Sequence, residues 1–176
     1  GGHHFVMAIE GRERDIHGAG HIIKVRYTPS QLRVLAVEEE ASPHHETLKS
    51  PGQLHGLPVA VATLHSLIAP FAVAFKEGVP GGRLAYVMTD GAALPAQISR
   101  LARQLRREGW LDVIITCGHA FGGDLEAVTV YSALQAAREV AECEACIVAM
   151  GPGVVGTGTP LGTSALEQAP ILDGAG

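Results

Sequence analysis

The chain contains no asparagine, one tryptophan and few aromatic residues of any kind, 5% in all. The missing asparagine fits a heat-adapted protein, because Asn is thermolabile. It fits equally a GC-rich coding sequence, which the wealth of Ala, Gly and Arg also suits. Lys and Arg number 13 against 18 Asp and Glu, and the cations form no long run. The net charge of -5 therefore argues against duplex nucleic acid as the main partner, since phosphate binding needs clustered cations. Cysteine is scarce and odd in number, three, which argues against a disulfide framework and suggests a cytoplasmic protein. Long apolar runs are missing too. The longest, LPVAVATLHSLIAPFAVAF, is interrupted by His65, Ser66 and Pro70, so it reads as a buried strand followed by a buried helix, with no membrane partner expected. There is no signal peptide and no initial Met. The opening GGHH looks like a cut or a tag remnant, so the chain reads as part of a longer protein.

What is present is a repeated unit. From Pro58 onward an apolar run leads into a glycine-rich polar loop and then a helical pattern. LPVAVAT, RLAYVM, LDVIIT and EACIVAM are the apolar runs, each of about strand length. Strands separated by helical patterns imply a parallel sheet with crossover helices. The fold class expected is a three-layer, Rossmann-like α/β domain over 58–176, with a small β-rich segment and polar linker over 1–57. In that segment HFVMAIE and HIIKVRY read as strands around a turn. TPSQLRVLAVEEE is ambiguous: Thr28, Pro29 and Gln31 fit a helix start, while Arg33 to Val37 favours strand, the preferred reading.

Two helices are well marked. Ile98, Leu101, Ala102 and Leu105 recur at helical spacing, with Gly109 as the C′ residue and arginines crowding the C-terminal end. Leu125, Val128, Tyr131, Leu134 and Ala141 are expected to face the sheet from a helix capped by Asp124.

KVRYTPSQ, PVAVATLHS, AYVMTDGAALP, TCGHAFGGDLEAV and MGPGVVGTGTPLG, in this order, resemble a bacterial family known as domain of unknown function 3866. The resemblance spans nearly the whole chain, and the third and fifth motifs are long enough to be specific. It implies an uncharacterised cytoplasmic protein, longer than this chain at both ends, and it supports the strand–loop–helix reading. It carries over no activity and no catalytic residue.

In an open parallel sheet, ligands bind beyond the carboxyl ends of the strands. That topology gathers His65, Ser66, Thr89, Asp90, Cys117, His119, Asp124, Glu126 and the loop Gly151 to Thr159 at one edge. Three chemistries are open there. His65, Asp90, His119 and Asp124 suit a divalent metal such as zinc, manganese or iron, with a position left for water; the plainer alternative is helix caps, a turn and satisfied histidines. Cys117 near a helix start suits a lowered thiol pKa, with His119 as its base; the plainer alternative is a half-buried structural thiol. Gly151, Gly153 and Gly156 match G-x-G-x-x-G after a strand, so with Thr157, Gly158 and Thr159 they could cradle an anion or nucleotide; the plainer alternative is a tight crossover. Cys143 and Cys146 read as structural, His44 and His45 as a solvated loop, and Glu38 to Glu40 as an exposed face.

The leading expectation is an enzyme, a hydrolase or transferase, acting on a small anionic metabolite, with Asp90, Cys117, His119 and Asp124 as its catalytic core. Redox chemistry is less expected because the dinucleotide fingerprint is incomplete. The rivals are a non-catalytic nucleotide- or phosphate-binding regulatory module and a structural assembly subunit. A small-molecule ligand is the expected partner, and a homo-oligomer is compatible with the apolar helices.

Overall fold

The computed structural model describes residues 19–26, 31–50, 53–91 and 93–175. The strand expected in HFVMAIE, most of the turn after it, and Thr28 and Pro29 of the capping box lie outside the described residues.

The chain builds a five-stranded sheet flanked by helices on both faces, a three-layer α/β fold. Its strands are β3 (Val59–Ala62), β4 (Leu84–Thr89), β5 (Val113–Thr116), β6 (Leu125–Glu126) and β7 (Ala145–Met150), in the order β3-β7-β4-β5-β6. Every pairing is parallel. β4 and β7 are buried at every position, which is why their sequences run apolar without alternation. Leu84, Tyr86 and Met88 face one layer while Ala85 and Val87 face the other, following the period of two.

The layers follow from the direction of travel. Helices α2 (Ile68–Gly78) and α3 (Arg100–Arg107) connect strands moving one way across the sheet, and both pack on the Tyr86 face. After β6 the chain turns back to place β7 between β3 and β4. A crossover of constant hand then puts α4 (Val130–Glu139) on the opposite face, and α5 (Gln168–Ala175), which follows β7, packs on that face as well; Leu134 and Ile171 are buried there. The loops after β4 and β7 thus leave toward opposite layers, making a topological switch point between two adjacent strands.

α3 ends as the sequence implies. Gly109 has φ +79°, its N–H reaches Arg106 O at 3.4 Å, and Trp110 N–H reaches Leu105 O at 2.9 Å, the two bonds of a Schellman end. Its start differs. Residues Ala96–Ile98 form a separate 3-10 turn, Ser99 is the N-cap, and Ile98 is exposed instead of facing the core.

The helix expected from Leu125 also begins later. Leu125 and Glu126 pair with Ile115 and Thr116 as β6, and α4 is capped by Thr129, reciprocated by Ser132. Asp124 is therefore not an N-cap. Leu134 and Ala141 are buried as expected, but Val128 and Tyr131 are exposed.

In the N-terminal part, β1 (Ile22–Lys24) pairs antiparallel with β2 (Leu32–Val34) as a separate two-stranded sheet, so the preference for strand over helix in this stretch holds at Leu32–Val34. The stretch read as a polar linker carries α1 (His45–Leu48), whose Leu48 joins the core with Val37 and Leu57. His45, read as part of a solvated loop, bonds through Nδ1 to Glu38 O at 2.8 Å. Of the acids read as an exposed face, Glu40 is exposed, while two are anchors instead: Glu38 accepts from Val128 N–H at 2.9 Å, and Glu39 accepts from Ala36 N–H at 3.1 Å and pairs with His21.

Candidate functional site

The carboxyl ends of β3, β4, β5 and β7 share one edge, and Asp90 and His119 meet there: the Asp90 carboxylate accepts from the His119 backbone N–H at 3.1 Å. Gly118 makes this approach possible. It has φ +61°, and a Cβ on it would lie 2.7 Å from the Asp90 carboxyl carbon. The His119 ring is exposed, and its Nδ1 accepts from Val25 N–H at 3.2 Å, which leaves Nε2 as the donor of the neutral ring.

Most of TCGHAFGGDLEAV serves the connection itself. Parallel neighbours ordinarily need a crossover of a dozen residues or more, whereas β5 and β6 are joined by residues 117–124 alone. Gly123 lets the returning chain press on β5; a Cβ there would stand 2.6 Å from Ile114 O and 3.0 Å from Thr116 N. Glu126 clamps the loop, accepting from Gly122 N–H at 2.5 Å and from Thr116 Oγ1 at 2.7 Å. Lys24, wholly buried, reaches in from β1: its Nζ donates to Gly118 O at 2.8 Å and Ala127 O at 3.0 Å, 3.4 Å from Glu126. Burial pushes the Glu126 carboxyl above its usual range, against the opposing pull of the Thr116 bond and the Lys24 charge.

Three expectations change. Cys117 is buried, its thiol 3.7 Å from Met88 O, and burial pushes its pKa up to about 12 even against the nearby Lys24 charge. A lowered thiol pKa, the basis of the nucleophile reading, is thus reversed, because the loop closes over the sulfur and no helix starts beside it. Asp124 is held away from the edge, bonding Ile114 N–H at 2.8 Å and Arg106 Nε at 2.9 Å. The metal set of His65, Asp90, His119 and Asp124 is consequently dispersed, and among the described residues no three His, Cys, Asp or Glu side chains are grouped to hold an ion.

The glycine loop after β7 is also different from an anion cradle. Gly151 packs under the Met88 methyl, and the chain then forms an exposed hairpin-like excursion in which Gly156 bridges Thr163. The N–H groups of Val155 and Thr157 are already bonded, to Ser164 Oγ at 2.9 Å and Gly162 O at 2.8 Å. The Gly158 and Thr159 tip is exposed, and the next helical turn opens only at Ser164. Gly151, Gly153 and Gly156 therefore do not open a helix onto a phosphate.

Four residues matter that sequence reasoning missed: Lys24, Tyr86, Ser99 and Glu167. His65 Nε2 lies 2.6 Å from Ser99 Oγ, and its Nδ1 lies 3.1 Å from Tyr86 Oη and 3.3 Å from Met150 O. Burial lowers the His65 pKa, with the Met150 carbonyl pulling the other way. Ser99 Oγ also accepts from Ala102 N–H at 2.9 Å, and the residue is only 3% exposed, so this hydroxyl is a cap and a tie with no open face. A serine directly before RLARQLRR is a cap signal in the sequence; nothing local announces its histidine partner. Glu167 folds back from the last 3-10 turn onto Thr89, which donates to it at 2.6 Å across the β4/β7 switch point. Burial raises its pKa, and the charge of nearby Asp90 raises it further against the Thr89 bond. The remaining thiols are structural in setting: Cys146 is buried in β7 and raised, and burial pushes Cys143 up to about 11.

Among the described residues no helix is long and apolar enough to cross a membrane. No curated protein and no solved structure matches the chain. A family model described as protein of unknown function (DUF3866) matches residues 1–176, and the chain belongs to that family.

Proposed function

We propose that the protein is an enzyme, a hydrolase or transferase of a small metabolite, working at the edge where β4 and β7 end. The observation that carries this reading is the return of Glu167 to Thr89 beside Asp90 at the switch point, where open α/β sheets bind ligands. Two carboxyl groups with unequal surroundings suit paired acid and base roles. Asp90 is the base. Glu167, whose carboxyl pKa is raised by burial and by the charge of Asp90 against the Thr89 bond, is the acid. His119 at the rim supplies a hydrogen-bond donor through Nε2. Cys117 and Asp124 take no part, the first being buried and the second tied to Arg106. The Asp90 carboxylate, which takes the base role, repels an anion, so the preferred substrate is polar and neutral, or cationic, in place of the anionic metabolite that the sequence suggests.

The test is a thermal-shift screen of sugars, polyols and amines against the wild type, Asp90→Asn and Glu167→Gln. A ligand that stabilises the wild type should lose its shift in Asp90→Asn and be turned over more slowly by Glu167→Gln. Shifts of equal size in all three proteins would place the ligand elsewhere and remove the reading.

A further inference from the structure

The arginines of α3 are not explained by the edge site or by the helix itself. Arg106 and Arg107 lie in the last turn, where the helix dipole favours cations. Arg100 and Arg103 lie in the opening turns, where the dipole opposes them, and the first turn holds no acid. Arg103 and Arg107 are also four residues apart on one side of the helix, a repulsive spacing for like charges. Among the described residues a single carboxylate, Asp124, pairs with this group, and it pairs with Arg106. Glu108, the nearest acid in sequence, accepts from Gln104 instead, at 2.9 Å. Placement that local electrostatics disfavours points to an external anion.

A space to receive it is present. A cleft of about 360 Å³ lies between α3 and the Gly122–Asp124 turn, bounded by Arg103, Arg106 and Arg107 on one side and by Ala96, Ile114 and Gly123 on the other. A second groove of about 420 Å³ runs along the helix between Arg100, Arg103, Gln104 and Arg107. Arg103 and Arg107 belong to both. The cleft has the size of small-ligand sites. Its carboxylate, Asp124, is already engaged by Arg106 and Ile114 N–H, so the anionic end of a ligand belongs with Arg103 and Arg107 and its body against Ala96 and Ile114.

We propose that this cleft binds a phosphorylated small molecule, its phosphate groups forked by Arg103 and Arg107 and its apolar body lying between α3 and the β5–β6 connection. Guanidinium groups match phosphate oxygens in paired hydrogen bonds, which a lone ammonium does not. A nucleic acid is the poorer match, because one helix of arginines on a chain of net charge -5 offers no continuous basic track. The cleft shares no lining residue with the Asp90–Glu167 edge site, so each can fail alone.

Calorimetric titration of the full chain with pyrophosphate, ADP and adenosine tests it. ADP should bind with Kd below about 1 mM, more tightly than either pyrophosphate or adenosine. Arg103→Gln with Arg107→Gln should weaken ADP at least about tenfold with the unliganded Tm kept. Removing two charges elsewhere, Lys49→Gln with Arg138→Gln, should leave ADP binding unchanged, and so should Asp90→Asn. The proposal is overturned if neither pyrophosphate nor ADP binds at about 1 mM, if the arginine variant binds ADP as the wild type does, or if a single-stranded oligonucleotide outcompetes ADP.

Discussion

Two glycine-rich loops leave the same edge of the sheet and look alike in sequence: CGHAFGGD after β5 and GPGVVGTGTPLG after β7. In the folded chain they are opposites. The first is compressed against β5, clamped by Glu126 and braced by the buried Lys24. The second projects into solvent and closes its hydrogen bonds on itself, through Thr157 to Gly162 and Val155 to Ser164. In the first, Gly123 makes room for the β5 backbone and Gly118 for the Asp90 carboxylate. At Gly156 in the second, a Cβ would meet nothing within 4 Å. A glycine pattern after a strand therefore marks a loop without saying whether its glycines are needed for packing, for a ligand, or for neither.

That contrast can be broken most forcefully at Lys24. Lys24→Met leaves the half-buried Glu126 without its cation and removes the bonds to Gly118 O and Ala127 O, and should cost about 3 kcal/mol in denaturant unfolding. Adding Glu126→Gln should recover part of the loss, because an unpaired, half-buried charge is then gone. A single-variant cost below about 1 kcal/mol would mean the buried lysine is not what braces the loop. Gly123→Ala comes next, at about 3 kcal/mol, since the new methyl meets the Ile114 and Thr116 backbone, which no rotamer change relieves.

The pH dependence sharpens the comparison further. The folded Glu126 pKa is raised, so its contribution to stability is full below the ordinary value of 4.5 and is lost as pH rises through the folded value. Stability plotted against pH across that window should have a downward component in the wild type that Glu126→Gln abolishes; an unchanged slope would remove Glu126 as the source. The loop after β7, from Gly151 to Thr163, has no titratable side chain and should add no such slope. The smallest effect is expected for Gly156→Ala, within about 0.5 kcal/mol by the same unfolding measurement. A large loss there would show that the exposed excursion is packed after all.

The candidate site was legible to different depths at different residues. Placing Asp90 and His119 together needed only the inference that successive βα loops share an edge, and their hydrogen bond agrees with it. Cys117 was named as part of the same edge, but whether a thiol at a strand end is open or covered depends on what the following loop does. Asp124 looked like a helix cap because acids before an apolar helical pattern usually are; the two residues of β6 took that pattern into the sheet instead. Glu167 was invisible because its partner, Thr89, is 78 residues away.

By itself the sequence determined what local chemistry can determine: buried strands from continuous apolar runs, their parallel sense from the helical patterns between them, the end of α3 from Gly109. Those features depend on periodicity and on backbone preferences within a few residues. Only the tertiary structure decided that β7 enters between β3 and β4, that Lys24 is buried beneath a loop 94 residues further along, and that the arginines of α3 border a cleft. These outcomes come from pairing and desolvation between segments far apart in sequence, where the favourable partner is chosen by the whole packed chain and leaves no local mark.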